Sequence, residues 1–189
     1  MRTSLKPIKG ILIYTLILFI LSLIYFIYAF SVYPSREEQE TFFHEIGEGL
    51  GKTGLALLGL IYFRTLLKLF LGKGKLAQRL LPEYRPPFDA NLFDQLLGFL
   101  NRTHVYVGIA AVAIILLHGV MMGLTQHLHI LFFPALLALI IWQALFGLFL
   151  TWRYSSAELK QFSYLVHAQF VTGIAIGIFA FFGHLLIDD

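Results

Sequence analysis

Residues 102–119 read RTHVYVGIAAVAIILLHG. Thirteen uncharged, mostly apolar residues separate His104 from His118. An apolar run of this length reads as a helix crossing a membrane. Hydrocarbon offers an imidazole no hydrogen-bond partner, and burying an unpartnered polar group costs several kcal/mol. A histidine at each end of such a run therefore calls for a partner on another helix or for a ligand.

The rest of the chain has the same character. Of its 189 residues 58% are hydrophobic and 13% charged, with a mean hydropathy of +0.78. Soluble domains carry about a quarter charged residues. The expected fold class is an all-α membrane protein, a single domain over residues 1–189 embedded in a lipid bilayer. With no cysteine in the chain, disulfides, thiolate catalysis and Cys-ligated iron–sulfur clusters are excluded. The net charge of +3 comes from loop lysines and arginines, and no basic patch suggests nucleic acid. Nothing resembles a hydrolytic triad or a phosphate loop, and no catalytic residue is expected.

Five apolar runs are long enough to span a bilayer: residues 11–30, 50–71, 104–124, 130–150 and 164–187. Ala29-Phe30-Ser31 resembles a signal-peptide cleavage site, but the apolar stretch before it exceeds a typical signal core, so a retained helix is expected. Lysine and arginine alternate loop by loop. Arg2, Lys6 and Lys9 precede the first run; Lys73, Lys75, Arg79, Arg85 and Arg102 lie between the second and third; Arg153 and Lys160 lie between the fourth and fifth. The first connection has Arg36 among five glutamates, the third has no lysine or arginine, and the chain ends Asp188-Asp189. The expectation is a five-helix transmembrane bundle with the N-terminus inside and the C-terminus outside, in a bacterial inner (plasma) membrane. Within the second connection Pro86-Pro87 break the chain and Asp89 is a candidate N-cap. Leu92, Phe93, Leu96, Leu97 and Leu100 then share one face, as in a short helix on the inner membrane surface or an ordinary amphipathic connector.

Four of the seven histidines lie in the third and fifth runs. His104 and His118 are fourteen residues apart, which is about 21 Å of rise and about 40° short of four turns, so both look the same way. The two runs are parallel in the expected topology. His104 then shares a depth with His167, and His118 with His184. Two imidazole pairs between helices suit one or two b-type haems with all four histidines as iron ligands. His167 and His184 are seventeen residues apart, about 100° out of phase on a straight helix and about 50° in a supercoiled one, unless a bulge corrects the phase. One haem thus remains an alternative to two; if only one forms, the more apolar setting favours His118–His184. Gly108, Gly119, Gly183 and the pair Gly173/Gly177 permit a macrocycle to approach, or simply permit helices to pack.

Arg102 and Arg153, with Lys160, lie at the inner helix ends and are candidates for pairing with haem propionates. His44, Glu45, Glu48, Gln126, His127 and His129 make an outer zone of metal-type ligands or a solvated loop. Gln143 and Gln169 lie within apolar runs and could bond another helix or a cofactor edge.

The stretch RTHVYVGIAAVAIILLHG resembles the third helix of the ferric reductase-like transmembrane domain family. That family includes ferric reductases, NADPH oxidases and the haem-bearing membrane subunit of the bacterial methionine sulfoxide reductase system. His104, Gly108 and His118 match its pattern. SSAELKQFSYLVHAQFVTGIAIGIFAFFGHLL is similar to the later histidine-bearing helix, with His167 and His184 matching by type and with a longer spacing than is usual in the family. GKTGLALLGLIYF resembles the second helix of the methionine sulfoxide reductase subunit. The likeness covers residues 51–186. It implies haem-mediated electron transfer across the membrane, and whether such a chain is itself an oxidoreductase stays open. The one G-x-G-x-x-G, residues 49–54, opens an apolar run and follows no strand-like segment, so a separate donor, a flavoprotein or quinol on the inner side, is expected to reduce the haem. The outer acceptor is not identified. The residues alone also admit the cytochrome b anchor subunit of a larger respiratory oxidoreductase, a histidine-liganded metal transporter without haem, and a structural protein whose histidines bond neighbouring helices. The charge alternation makes one expectation directly testable. A C-terminal reporter should be active on the non-cytoplasmic side, and activity confined to the cytoplasm would invert the chain or change the span count.

Overall fold

A computed structural model describes residues 6–32, 42–80, 84, 91–124 and 127–187. These form seven α-helices and no strand: α1 (Lys6–Val32), α2 (Phe42–Phe70), α3 (Gly74–Leu80), α4 (Asn91–Met121), α5 (Phe132–Thr151), α6 (Ala157–His167) and α7 (Phe170–Leu185). Four of them, α1, α2, α4 and α5, are long and apolar enough to cross a membrane. The α6–α7 pair makes a fifth if it is taken as one span bent by 48°. The chain thus has the architecture of an integral membrane protein. Bulky apolar side chains such as Leu12, Leu55, Ile109 and Leu165 lie exposed on the outer helix faces, as a lipid-facing surface requires.

The helix ends follow local chemistry. Gly72, with φ +66°, closes α2. Its N–H donates to Leu69 O and the Lys73 N–H to Lys68 O, the paired bonds of a Schellman motif. Gly123, with φ +65°, plays the corresponding part after α4. Pro134 sits in the first turn of α5, where a missing N–H costs no intrahelical bond. Ser156 caps α6, its hydroxyl accepting from the Leu159 N–H at 3.2 Å.

Two expected boundaries differ. The amphipathic segment after Asp89 is no separate surface helix. It is the first part of α4, which runs unbroken from Asn91 through His118. Leu97 and Leu100 bury themselves against Leu67 of α2 and Leu71 just after it, so this part of the face meets a neighbouring helix. The run 164–187 is likewise not one straight helix, because α6 ends at His167 and α7 begins at Phe170. Ala168 N–H still bonds Tyr164 O, and Gln169 N–H reaches Val166 O, before the backbone turns extended at Gln169. Pro86, Pro87, Asp89, Gln126, Asp188 and Asp189 lie outside the described residues.

The helices pack as two groups. In one, α2 lies along α4, with α3 against α2. In the other, α5 packs on α6 and α7, and α1 on α7. The first group has the leucine core just named. The second has Ala29, Ile130, Phe132, Phe182 and Leu186, ringed by Tyr25, Phe26 and Phe133. The Tyr25 hydroxyl accepts from the Leu131 N–H at 2.9 Å. The groups meet through α4 and α5 and through α1 and α3, leaving a seam between α4 and the α6–α7 pair. Gly47, Gly51 and Gly54 give α2 a small face toward α4. A Cβ on Gly54 would come within 2.7 Å of Ile115 Cγ1, closer than packed carbons tolerate. Gly54→Val should therefore cost about 1–3 kcal/mol and lower the thermal midpoint of helix loss in detergent. Gly59→Val, where a Cβ would meet nothing within 4 Å, should leave that midpoint nearly unchanged.

Candidate functional site

The four histidines of the apolar runs meet across the seam in two pairs. His104 of α4 faces His167 at the end of α6, with ring centroids 6.1 Å apart and planes at 60°. His118 of α4 faces His184 of α7, with centroids 5.9 Å apart and planes within 13°. The break at Ala168-Gln169 explains how the seventeen-residue spacing is accommodated: His167 and His184 belong to different helices, so straight-helix phase does not relate them.

The distances discriminate between chemistries. Two imidazoles sharing a hydrogen bond in line have centroids about 5.0–5.5 Å apart, from N···N distances of about 2.7–3.2 Å. Both pairs stand wider than that. An imidazole nitrogen ligates a first-row metal at about 2.0–2.1 Å, and two trans imidazoles on one metal place their centroids about 6.3 Å apart. Both pairs lie close to this second value.

The ring nitrogens tell the same story. His118 Nδ1 lies 2.8 Å from Gly47 O, His167 Nδ1 2.9 Å from Gln143 O, and His184 Nδ1 2.7 Å from Ala180 O. A carbonyl only accepts, so each Nδ1 carries the proton and donates. In the neutral tautomer this leaves the lone pair on Nε2, the arrangement found behind metal-binding imidazoles. His104 differs: its Nδ1 is buried with no hydrogen-bond partner among the described residues.

Backbone without side chains makes room for the rings. A Cβ on Gly51 would lie 2.8 Å from His118 Cε1, and one on Gly147 3.0 Å from His167 Cε1. Of the glycines singled out in the sequence, Gly108 borders open space, as does Gly177, which has nothing within 4 Å of a Cβ. Gly183 packs on Phe132 and Phe133, Gly119 on Leu124, and Gly173 receives the Tyr62 ring.

A cavity of about 410 Å³ opens beside His104 and His167, walled by α2, α4, α5, α6 and α7. Sequence reasoning favours His118–His184 if a single pair is used, whereas this space adjoins the other pair. Its lining is mainly apolar, with Gln143 and Gln169 among the polar exceptions and Arg64, Lys68 and Lys73 as its cations. Arg102 and Arg153 are not in that wall. Both are exposed, and Arg153 hydrogen-bonds the Tyr154 hydroxyl and covers its ring at 4.5 Å. Arg64 and Lys68 fell inside the second apolar run and were missed; their i, i+4 spacing was the available signal. Gly51 and Gly147 had no signal beyond being glycine.

Among the described residues the outer histidines gather no comparable centre. His44 Nε2 lies 3.4 Å from Glu48, which also pairs with Lys52 at 2.9 Å. His127 meets the Phe133 ring. Among the described residues no three His, Asp or Glu side chains gather as a metal site.

No protein-family model, curated protein or solved structure matches the chain.

The backbone bonds set a tautomer that can be measured. In metal-free protein, imidazole ¹⁵N NMR should show His118, His167 and His184 protonated at Nδ1. Protonation at Nε2 in all three would remove the ligand-ready arrangement.

Proposed function

We propose that the chain is a b-type haem protein that carries electrons across a membrane, with His104 and His167 as axial ligands at one site and His118 and His184 at a second. The observation that supports this most is the pair geometry: two facing imidazoles at close to trans-ligand separation, three of the four rings with Nδ1 tied to a carbonyl. Each pair offers a metal only two protein donors, and no third His, Asp or Glu joins either among the described residues. A bare ion held so would lack most of its coordination shell. A tetrapyrrole would supply most of its metal's donors itself and would need just two imidazoles from the chain. The apolar cavity at His104 and His167 lies within the usual range of about 300–1,000 Å³ for cofactor pockets, and Gly108 leaves a flat face beside the ring.

When bound, haem supplies a one-electron ferric/ferrous couple. The chain's own part is to hold and insulate it. Carbonyls of Gly47, Gln143 and Ala180 fix three ring orientations. The apolar helices exclude water. The helix α4 carries one ligand of each pair fourteen residues apart, about 21 Å along its axis, a large part of the ~30 Å apolar core. With the lysine- and arginine-rich loops on the inner side, electrons pass from an inner flavoprotein or quinol toward an outer acceptor. The resemblance of residues 51–186 to the ferric reductase-like transmembrane domain supports the same reading.

The test is a reduced-minus-oxidised visible spectrum of protein purified from haem-replete cells, with haem counted per chain. A low-spin bis-histidine b spectrum is expected, with up to two haems. His118→Ala and His184→Ala should remove one centre, and His104→Ala and His167→Ala the other. Gly51→Ala, which pushes on the His118 ring, should reduce haem at the His118 site and spare the other. A colourless, folded preparation would refute the proposal.

A further inference from the structure

The cavity beside His104 and His167 has a charge imbalance. Arg64 and Lys68, half-buried and one turn apart on α2, line it together with Lys73, and no aspartate or glutamate does. Lys73 is compensated, its Nζ lying 2.5 Å from Asp94 Oδ2. Among the described residues Arg64 meets neutral groups, its Nε donating to Asn101 Oδ1 at 2.7 Å and the Tyr164 phenol lying near it. Among the described residues no carboxylate bridges to Arg64 or Lys68. Cations facing a largely apolar space are costly unless an anion answers them. The Asn101 contact fixes the Nε edge of the guanidinium and leaves its terminal nitrogens available. A guanidinium fork and a flexible ammonium suit carboxylates.

We infer that Arg64 and Lys68 clamp the two carboxylates of a flat amphipathic cofactor in this cavity. The inference rests on the haem reading above and assigns the propionate role to α2 instead of the exposed Arg102 and Arg153. It also accounts for the cavity's construction. The apolar walls of α4 and α5 take the macrocycle's body, Gly108 and Gly147 let it lie close, and the two cations mark the end where its acidic edge stops. These residues thereby set which way round the cofactor enters.

The experiment uses the haem-loaded full chain in detergent, as parent, Arg64→Gln, Lys68→Gln, the double variant, Arg64→Lys, and an Arg102→Gln/Arg153→Gln control. Three properties are read. The first is the rate of haem loss to an excess of a haem-scavenging protein. The double variant should lose the haem of the His104–His167 site at least about tenfold faster, the scale expected for lost charge-assisted bonds. Arg64→Lys should recover part of the difference, and the control should match the parent. The second is the midpoint potential of that centre, which should fall when the cations are removed, since positive charge favours the ferrous state. The third is redox-difference infrared spectroscopy with haem ¹³C-labelled at its propionate carboxyls. The parent should show an isotope-sensitive carboxylate band that shifts in Arg64→Gln and Lys68→Gln.

A band and a loss rate unchanged by the double variant would overturn the clamp while leaving haem binding intact. So would equal haem-loss rates accompanied by weakened binding of phosphatidylglycerol, because the cations would then serve a lipid phosphate. A parent without haem would instead refute the underlying reading, and the clamp with it.

Discussion

An imidazole in hydrocarbon has two nitrogens to satisfy, and the four intramembrane histidines do this only in part. Three give Nδ1–H to a backbone carbonyl, which leaves the lone pair of a neutral ring on Nε2; among the described residues the buried Nδ1 of His104 has no partner. The facing rings stand too far apart to bond each other. The seam between the two helix groups is defined by this unmet demand. Were the rings some 1 Å closer, the pairs would form ordinary interhelical hydrogen bonds and need no guest. Their actual spacing leaves Nε2 chemistry open at both depths.

Other features of the fold follow from holding that spacing. The α2 backbone must come against His118, which is why a side chain at Gly51 has no room. The α5 backbone must come against His167, so a Cβ at Gly147 would press on that ring. The Tyr62 ring seats on Gly173 and ties α2 to α7 across the seam. Each helix group has its own core, leucine-rich between α2 and α4 and aromatic among α1, α5 and α7. Neither group therefore depends on filling the seam to stay packed. That division lets a space of cofactor size persist inside a small bundle, where a continuous core would have closed it.

Much of this was legible because hydropathy and helical phase are strong signals. The apolar runs appear as helices, and fourteen residues so nearly make four turns that His104 and His118 had to look the same way. The misread parts have physical causes. The α6–α7 break falls at Ala168-Gln169, with neither proline nor glycine to announce it, so His167 and His184 were phased as if on one rod. Asn91–Leu100 read as a surface helix or an amphipathic connector because its leucines share a face. Nothing before His104 stops the helix, however, and Leu97 and Leu100 of that face meet Leu67 of α2 and the following Leu71. Counting cations by loop drew attention to Arg102 and Arg153. The cations in the cavity wall are Arg64 and Lys68, inside a run scored as apolar. Their shared face was the stronger clue, since a charge within a span is costly unless something answers it.

The two histidine pairs are unequal, and the inequality bears on the direction of transfer under the proposed reading. His104 and His167 lie beside Arg64 and Lys68. His184 instead meets the Phe133 ring, next to the aromatic core. Two unanswered positive charges at one end would hold an electron there and oppose its passage to the other. A cofactor with two carboxylates facing those cations removes most of that bias. The net charge around the first centre then approaches zero, and the potentials of the two sites come closer together. The same cations that select an anionic cofactor would, uncompensated, trap its electron. Under the proposed reading, clamping the propionates and allowing onward transfer would be one electrostatic requirement, to be met by two side chains one turn apart on α2.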